Sequence, residues 1–165
     1  MLLYIIRHGD ADTPAPTDDD RELSKKGRKV TEAMGQLLKQ AGFTPPELIL
    51  ASPLPRADQT ARIIAEEFAP EAKFESNDGL KPSSRLESAM SLIASKKDEC
   101  KVLMIVGHDP LFSVLGSALV CGSEVPTIEM KKSGVAVFEI FRFDVPRMRG
   151  VLKAFLPPKL AVGVA

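Results

Sequence analysis

Residues 102–110 read Val-Leu-Met-Ile-Val-Gly-His-Asp-Pro. Five consecutive apolar residues suit a strand buried on both faces, and Gly107-His108-Asp109-Pro110 leads into a helix predicted to run to about Cys121. The chain opens in the same manner, with Leu2-Leu-Tyr-Ile-Ile6 followed by Arg7-His8-Gly9. A third short apolar run, Leu48-Ile-Leu-Ala51, precedes Ser52-Pro53-Leu54-Pro55-Arg56. Here Ser52 and Pro53 read as the cap and first-turn proline of a helix with Ala57, Ala61, Ile64, Ala65 and Phe68 on one side.

Other segments fill in the pattern. Gly9 to Glu22 is polar and contains proline, reading as a long loop of the kind that often carries function. Ser24 caps a helix predicted to reach about Ala41, with Val30, Ala33, Met34, Leu37 and Leu38 at helical spacing and Gly42 as its stop. Phe74 begins a minor strand, and residues 76–83 are turn-rich. Ser84 to about Lys97 reads as an amphipathic helix. Val135 to Phe141 and Val151 to Phe155 read as two more strands, joined through the turn region Asp144–Gly150. Strands alternating with helices predict one α/β domain over residues 1–165, built in three layers with a mostly parallel central sheet flanked by helices.

Composition narrows the function. The 165 residues include 22 basic and 22 acidic side chains, so net charge is zero and binding of nucleic acid or membranes by bulk electrostatics is excluded. Cys100 and Cys121 lack metal-ligand spacing and read as small apolar packers suited to a reducing compartment. The apolar opening ends at Arg7, short of the roughly 7–15 residues of a secretory core. No run approaches the roughly 20 residues of a membrane span. The expectation is a cytoplasmic monomer with neither a nucleic-acid nor a membrane partner.

The chain has only two histidines, and both follow predicted strands. In an open parallel sheet, ligands bind beyond the carboxyl ends of the strands. A lone histidine there is most often a surface or structural group, and a lone arginine before a helix is most often solvated. Arg7, His8, Arg56 and His108 converging at one edge make a different proposition. Guanidinium forks match the oxygens of a tetrahedral anion, and a helix amino end adds backbone N–H groups. A neutral imidazole can attack phosphorus while cations stabilise the equatorial oxygens. His8 would then need its other nitrogen held as an N–H donor, which an adjoining carbonyl can enforce.

These segments resemble the histidine phosphatase superfamily, which includes the cofactor-dependent phosphoglycerate mutases. The resemblance rests on Arg7-His8-Gly9 with Leu23-Ser24-Lys25-Lys26-Gly27, on Ser52 to Thr60, and on Val106 to Pro110. The short chain, the Arg7-His-Gly-Asp-Ala11 opening and the Arg56-Ala-Asp-Gln-Thr60 stretch are most similar to SixA-type phosphohistidine phosphatases. The resemblance implies a phosphoglycerate mutase-like fold, with His8 as the transiently phosphorylated nucleophile. Arg7, Arg56 and His108 would hold the phosphoryl group, water would hydrolyse the intermediate, and neither metal nor organic cofactor would be required.

One departure bears on substrate. Mutases and many phosphomonoesterases of the superfamily carry a carboxylic acid after the second helix. Here that region reads Phe74-Glu-Ser-Asn-Asp-Gly-Leu-Lys81, where Glu75 and Asp78 are better read as solvated turn residues. Asp18, in the Asp18-Asp19-Asp20 run, is the remaining general-acid candidate. A basic alkoxide needs such an acid, whereas imidazole, with a pKa of about 6.5 for its conjugate acid, leaves readily when protonated. The expected substrate is therefore a phosphohistidine-containing protein, and the alternative is a small phosphorylated metabolite.

Lys25, Lys26, Arg28 and Lys29 crowd the first turns of the predicted helix, where cations oppose the helix dipole. They read either as a site for an acidic partner or as a solvated face partly offset by Asp18 to Asp20. Two other functions stay in view. A metal hydrolase would use His8, Asp10, His108 and Asp109, although Arg7 and Arg56 would repel the cation. A phosphate- or phosphoprotein-binding module would bind without turnover.

Overall fold

Leu2–Arg7 (β1) and Val102–Gly107 (β4) lie side by side and parallel, in register from Leu2 opposite Val102 to Arg7 opposite Gly107. The computed structural model describes residues 1–163. Between these strands come Lys25–Gln40 (α1), Leu48–Ala51 (β2), Pro55–Phe68 (α2), Lys73–Ser76 (β3) and Leu86–Ser95 (α3). After them come Leu111–Cys121 (α4), Val135–Arg142 (β5), Arg149–Leu156 (β6) and Pro158–Val162 (α5). The strands form one six-stranded sheet in the order β3-β2-β4-β1-β5-β6. β5 pairs antiparallel with both neighbours, while β3, β2, β4 and β1 pair parallel. β6 therefore runs in the same direction as β1, and β5 alone is reversed.

Alternation of side chains across the strands divides the core in two. Leu3, Ile5, Leu50, Leu103 and Ile105 pack with Met90 and Ile93 of α3 and Phe112 and Leu115 of α4. Tyr4, Ile6, Ile49, Met104 and Val106 pack with Met34 and Leu38 of α1, Ile64 of α2 and Ala161 of α5. Both faces of the sheet are covered, which is why the central strands carry continuous apolar runs instead of alternating ones. The three-layer, mostly parallel α/β architecture expected from the pattern is the one observed.

Ser24 caps α1 as predicted, accepting a hydrogen bond from the Gly27 N–H at 2.9 Å. Other boundaries differ. Helix α2 begins at Pro55 with Leu54 as its cap, and no side chain closes the end. Ser52 is not the cap because its hydroxyl turns to the sheet edge, 2.9 Å from His108 Nε2. Helix α3 is shorter than Ser84 to Lys97, because the Ser84 hydroxyl donates to the Asp78 carbonyl and belongs to the preceding turn. Helix α5, only five residues long, was not anticipated, since it is too short to show a period. Among the described residues, no helix is long and apolar enough to cross a membrane.

Candidate active site

Three strands end at the same edge and each hands over a polar group. Arg7 closes β1 and His8 follows it, Ser52 follows β2, and His108 follows β4. The first turn of α2 adds Arg56. The chain pairing brings these residues together although a hundred residues separate the two histidines.

The turn after β1 is tied down from several sides. The His8 N–H donates to the Gly107 carbonyl at 2.9 Å. The Ser133 N–H donates to the carbonyls of Arg7 and His8 at 3.0 and 3.1 Å. Ser133 adopts φ 59°, a left-handed conformation that a non-glycine residue holds only where its surroundings impose it. The Gly9 N–H donates to Thr60 Oγ1 at 3.0 Å, and the Thr60 hydroxyl donates to the Arg56 carbonyl at 2.7 Å. Thr60 thus couples the His8 turn to the helix carrying Arg56. At Gly9 a Cβ would stand 2.8 Å from Thr31 Oγ1 and 2.9 Å from Leu23 Cδ2, so any larger residue would have to push these side chains aside.

His8 is 7% exposed, with Nδ1 2.7 Å from the Gly9 carbonyl oxygen. A carbonyl only accepts, so Nδ1 carries the proton and Nε2 keeps its lone pair. Burial, followed by the nearby charges of Arg56, Arg7 and Lys132, pushes the His8 pKa down to about 4, against the opposing Gly9 hydrogen bond. His108 is 1% exposed and is pushed down to about 3, by burial first and then by His8 and Arg56. The two rings stand 4.9 Å apart between centroids. Both imidazoles are neutral at pH 7.

The arginines are permanently charged and held from behind. Arg7 Nη1 donates to the Met130 carbonyl at 2.7 Å and lies 3.7 Å from Asp109 Oδ2. Asp109 is held in turn by the Ser113 N–H and hydroxyl, at 3.2 and 2.6 Å. Arg56 is 3% exposed, donating through Nη1 to the Asp18 carbonyl at 2.7 Å and through Nη2 to Asp18 Oδ2 at 3.1 Å. Arg7 Nε, Arg56 Nε and His108 Nδ1 are buried and have no hydrogen-bond partner among the described residues. Leaving such a group unsatisfied costs about 1–3 kcal/mol, and all three atoms are chemically suited to bond an oxyanion.

The acids separate by role. Asp18 does reach the site, but the Arg21 hydrogen bond, then the Arg56 charge, hold its carboxyl below the ordinary range, leaving it ionised at neutral pH. Asp10 pairs with Lys132 at 2.6 Å and accepts from the Ser24 hydroxyl at 3.0 Å. Glu75 pairs with Lys96 at 3.2 Å and Asp78 with Lys81 at 2.8 Å. Among the described residues no three of His, Cys, Asp and Glu are grouped as metal ligands.

Several supporting residues escaped the sequence reading. Ser52 reads as a cap in the sequence, and Ser133 carries no local signal at all. Gln59 and Thr60 lay inside a recognisable stretch, and the four-residue spacing of Arg56 and Thr60 puts them on one helix face. Gln59 Oε1 accepts from the Leu23 N–H at 2.8 Å, anchoring the long loop.

Residues 3–84 match the family model described as histidine phosphatase superfamily (branch 1). The match ends short of His108, which only the fold brings to the site. A phosphohistidine phosphatase SixA homologue of Haemophilus influenzae is 36% identical over 118 residues, spanning 67% of this chain and 72% of that protein. The structure of the protein histidine phosphatase SixA complexed with tungstate superposes with a TM-score of 0.85 at 24% identity, covering 97% of this chain and 99% of that one. That likeness concerns the fold. A SixA-type protein from Agrobacterium tumefaciens gives a TM-score of 0.76 at 29% identity, covering 95% and 97% of the two chains.

Proposed function

The chain belongs to the histidine phosphatase superfamily, and on that footing we propose that it removes the phosphoryl group from a phosphohistidine protein through a covalent phospho-His8 intermediate. The observation that carries this reading is the bond from His8 Nδ1 to the Gly9 carbonyl, within a buried, neutral imidazole flanked by Arg7 and Arg56. It leaves one nucleophilic lone pair, on Nε2.

In the first step, His8 Nε2 forms a bond to phosphorus while the P–N bond of the substrate breaks. The electron pair passes to the departing imidazole, which leaves as a neutral ring because it is protonated on its other nitrogen. Arg7 and Arg56 stabilise the charge on the equatorial oxygens. His108 would donate from Nδ1, which requires that the Ser52 hydroxyl donate to Nε2. In the second step water attacks phosphorus, the P–Nε2 bond breaks, and inorganic phosphate departs with His8 restored. No step needs a metal or an organic cofactor.

The acids support P–N rather than P–O cleavage. Glu75 and Asp78 are engaged by lysines, and Asp18 is ionised and bound to Arg56. Asp18, the one of these that reaches Arg56, is held ionised and so is not a ready proton donor for a basic alkoxide leaving group.

The test is a trapped phosphoenzyme together with a substrate panel in the presence of EDTA. Wild type should form an acid-labile, base-stable phosphoryl adduct, absent from His8→Ala, and should favour phosphohistidine over 3-phosphoglycerate and sugar phosphates. Undiminished turnover by His8→Ala would defeat the covalent route. A preference for the metabolites would select the small-molecule alternative, and binding without turnover would select a phosphate-binding module.

A further inference from the structure

We propose that the cleft running from Arg7 along the amino end of α1 is the docking surface for the protein substrate, and that it recognises carboxylates flanking the phosphohistidine. The inference rests on the phosphohistidine reading and adds to it the chemistry of the segment recognised. The cleft, of about 440 Å3, is lined among others by Arg7, Lys26, Val30, Lys132 and Ser133, together with Pro158 of α5. It adjoins the proposed phosphoryl site through Arg7, which lines the cleft and belongs to that site.

Its charge is what a carboxylate-bearing partner would meet. Lys25, Lys26 and Lys29 are all exposed on the first turns of α1. Lys29 neighbours Lys26 at i,i+3 and Lys25 at i,i+4, so the three form one patch. That helix has no acidic residue in its first turn, and cations there work against its dipole. Of the acids available to offset them, Asp18 and Glu22 are paired elsewhere, while Asp19 and Asp20 form no ion pair among the described residues. Asp18 pairs with Arg21 and Arg56, the Asp20 carboxylate accepts from Thr17, and Glu22 reaches Arg28 at 3.8 Å. Within the cleft, Asp10 is taken by Lys132 and Glu129 by Lys131. Lys25, Lys26 and Lys29 have no ion-pair partner among the described residues. Val30 and Pro158 add apolar surface to the cleft, against which a peptide backbone can lie with its acidic side chains toward the lysines.

The experiment compares two synthetic peptides of equal length, each phosphorylated on a single histidine with phosphoramidate, and phosphoimidazole as a substrate without flanks. One peptide carries Asp and Glu around the histidine, and the other carries Ser at the same positions. Wild type should cleave the acidic peptide with kcat/KM roughly tenfold above the neutral one, mainly through KM. That ratio should shrink toward one in 1 M salt, where the screening length is about 3 Å. The combined Lys25→Glu, Lys26→Glu and Lys29→Glu variant should lose the preference while its phosphoimidazole turnover, which reports an intact site, stays at the wild-type level. Equal rates of wild type on the two peptides overturn the proposal without reference to any variant, and so does a preference retained by the variant. A wild type that cleaves neither peptide overturns instead the phosphohistidine reading beneath it.

Discussion

Arg56 grips Asp18 twice, through the backbone carbonyl at 2.7 Å and through the carboxylate at 3.1 Å. A guanidinium proposed to hold phosphate therefore already carries an intramolecular anion, delivered by the long loop after β1. The carboxylate is largely exposed, so the ion pair is worth about 0.2–1 kcal/mol, at most about fivefold in an equilibrium. Asp18→Asn keeps the carbonyl contact and removes the charge. Inorganic phosphate should inhibit this variant two- to fivefold more tightly, as an order-of-magnitude figure from that range, with kcat on phosphoimidazole little changed. A fall in kcat of tenfold or more would instead give Asp18 a proton-transfer role.

Ser52→Ala removes the partner of His108 Nε2. A buried ring nitrogen left unsatisfied costs about 1–3 kcal/mol, so thermal unfolding should shift downward. The freed ring also loses the orientation on which its proposed contact with the phosphoryl group depends. Turnover of phosphoimidazole should drop by about tenfold, an electrostatic loss smaller than removal of a whole donor, and Ser52→Thr should restore most of it.

Both histidines have folded pKa values, about 4 and about 3, below the unfolded value of about 6.5. Between pH 6.5 and 4 the unfolded chain thus binds more protons than the folded one. Their contribution to stability is complete above pH 6.5 and is lost as pH falls through that window. The urea midpoint should be lower at pH 5 than at pH 7.5, and His108→Asn should flatten the difference. The imidazole Hε1 resonances in proton NMR should not titrate between pH 8 and pH 5. A midpoint near pH 6.5 for either ring would show it to be solvated.

At Gly27, a Cβ would lie 2.1 Å from the Asp10 carbonyl oxygen, a backbone atom that cannot swing away. The close approach lets the Ser24 N–H donate to that same carbonyl at 3.0 Å, fastening α1 to the turn after His8. Gly27→Ala should destabilise by about 1–3 kcal/mol, as overpacking does, despite the better helix propensity of alanine. Urea denaturation would measure the loss, and phosphoimidazole turnover should fall with it because the His8 turn is displaced.

The central strands and long helices were legible because their signals are local. Leu2–Ile6 and Val102–Val106 are apolar without a break since both faces of the sheet are covered, and α1 shows its buried face in Met34 and Leu38. Helix α5 was not legible, because five residues make too little of a period. Ser52 misled for a physical reason: a serine before a proline-rich helix start is a good cap in isolation, and only the neighbouring strand brings His108 within 2.9 Å of it.

The sequence by itself determined which residues are candidates for the proposed chemistry, since only two imidazoles are available and each follows an apolar strand beside a glycine. Tertiary structure decided what those residues are. Burial makes both rings neutral, the Gly9 carbonyl chooses the His8 tautomer, and the Arg56 side chain captures Asp18 as an ion pair. Each of these depends on distances between segments far apart in the chain, and a pKa, a tautomer or an ion pair exists only once such distances are set.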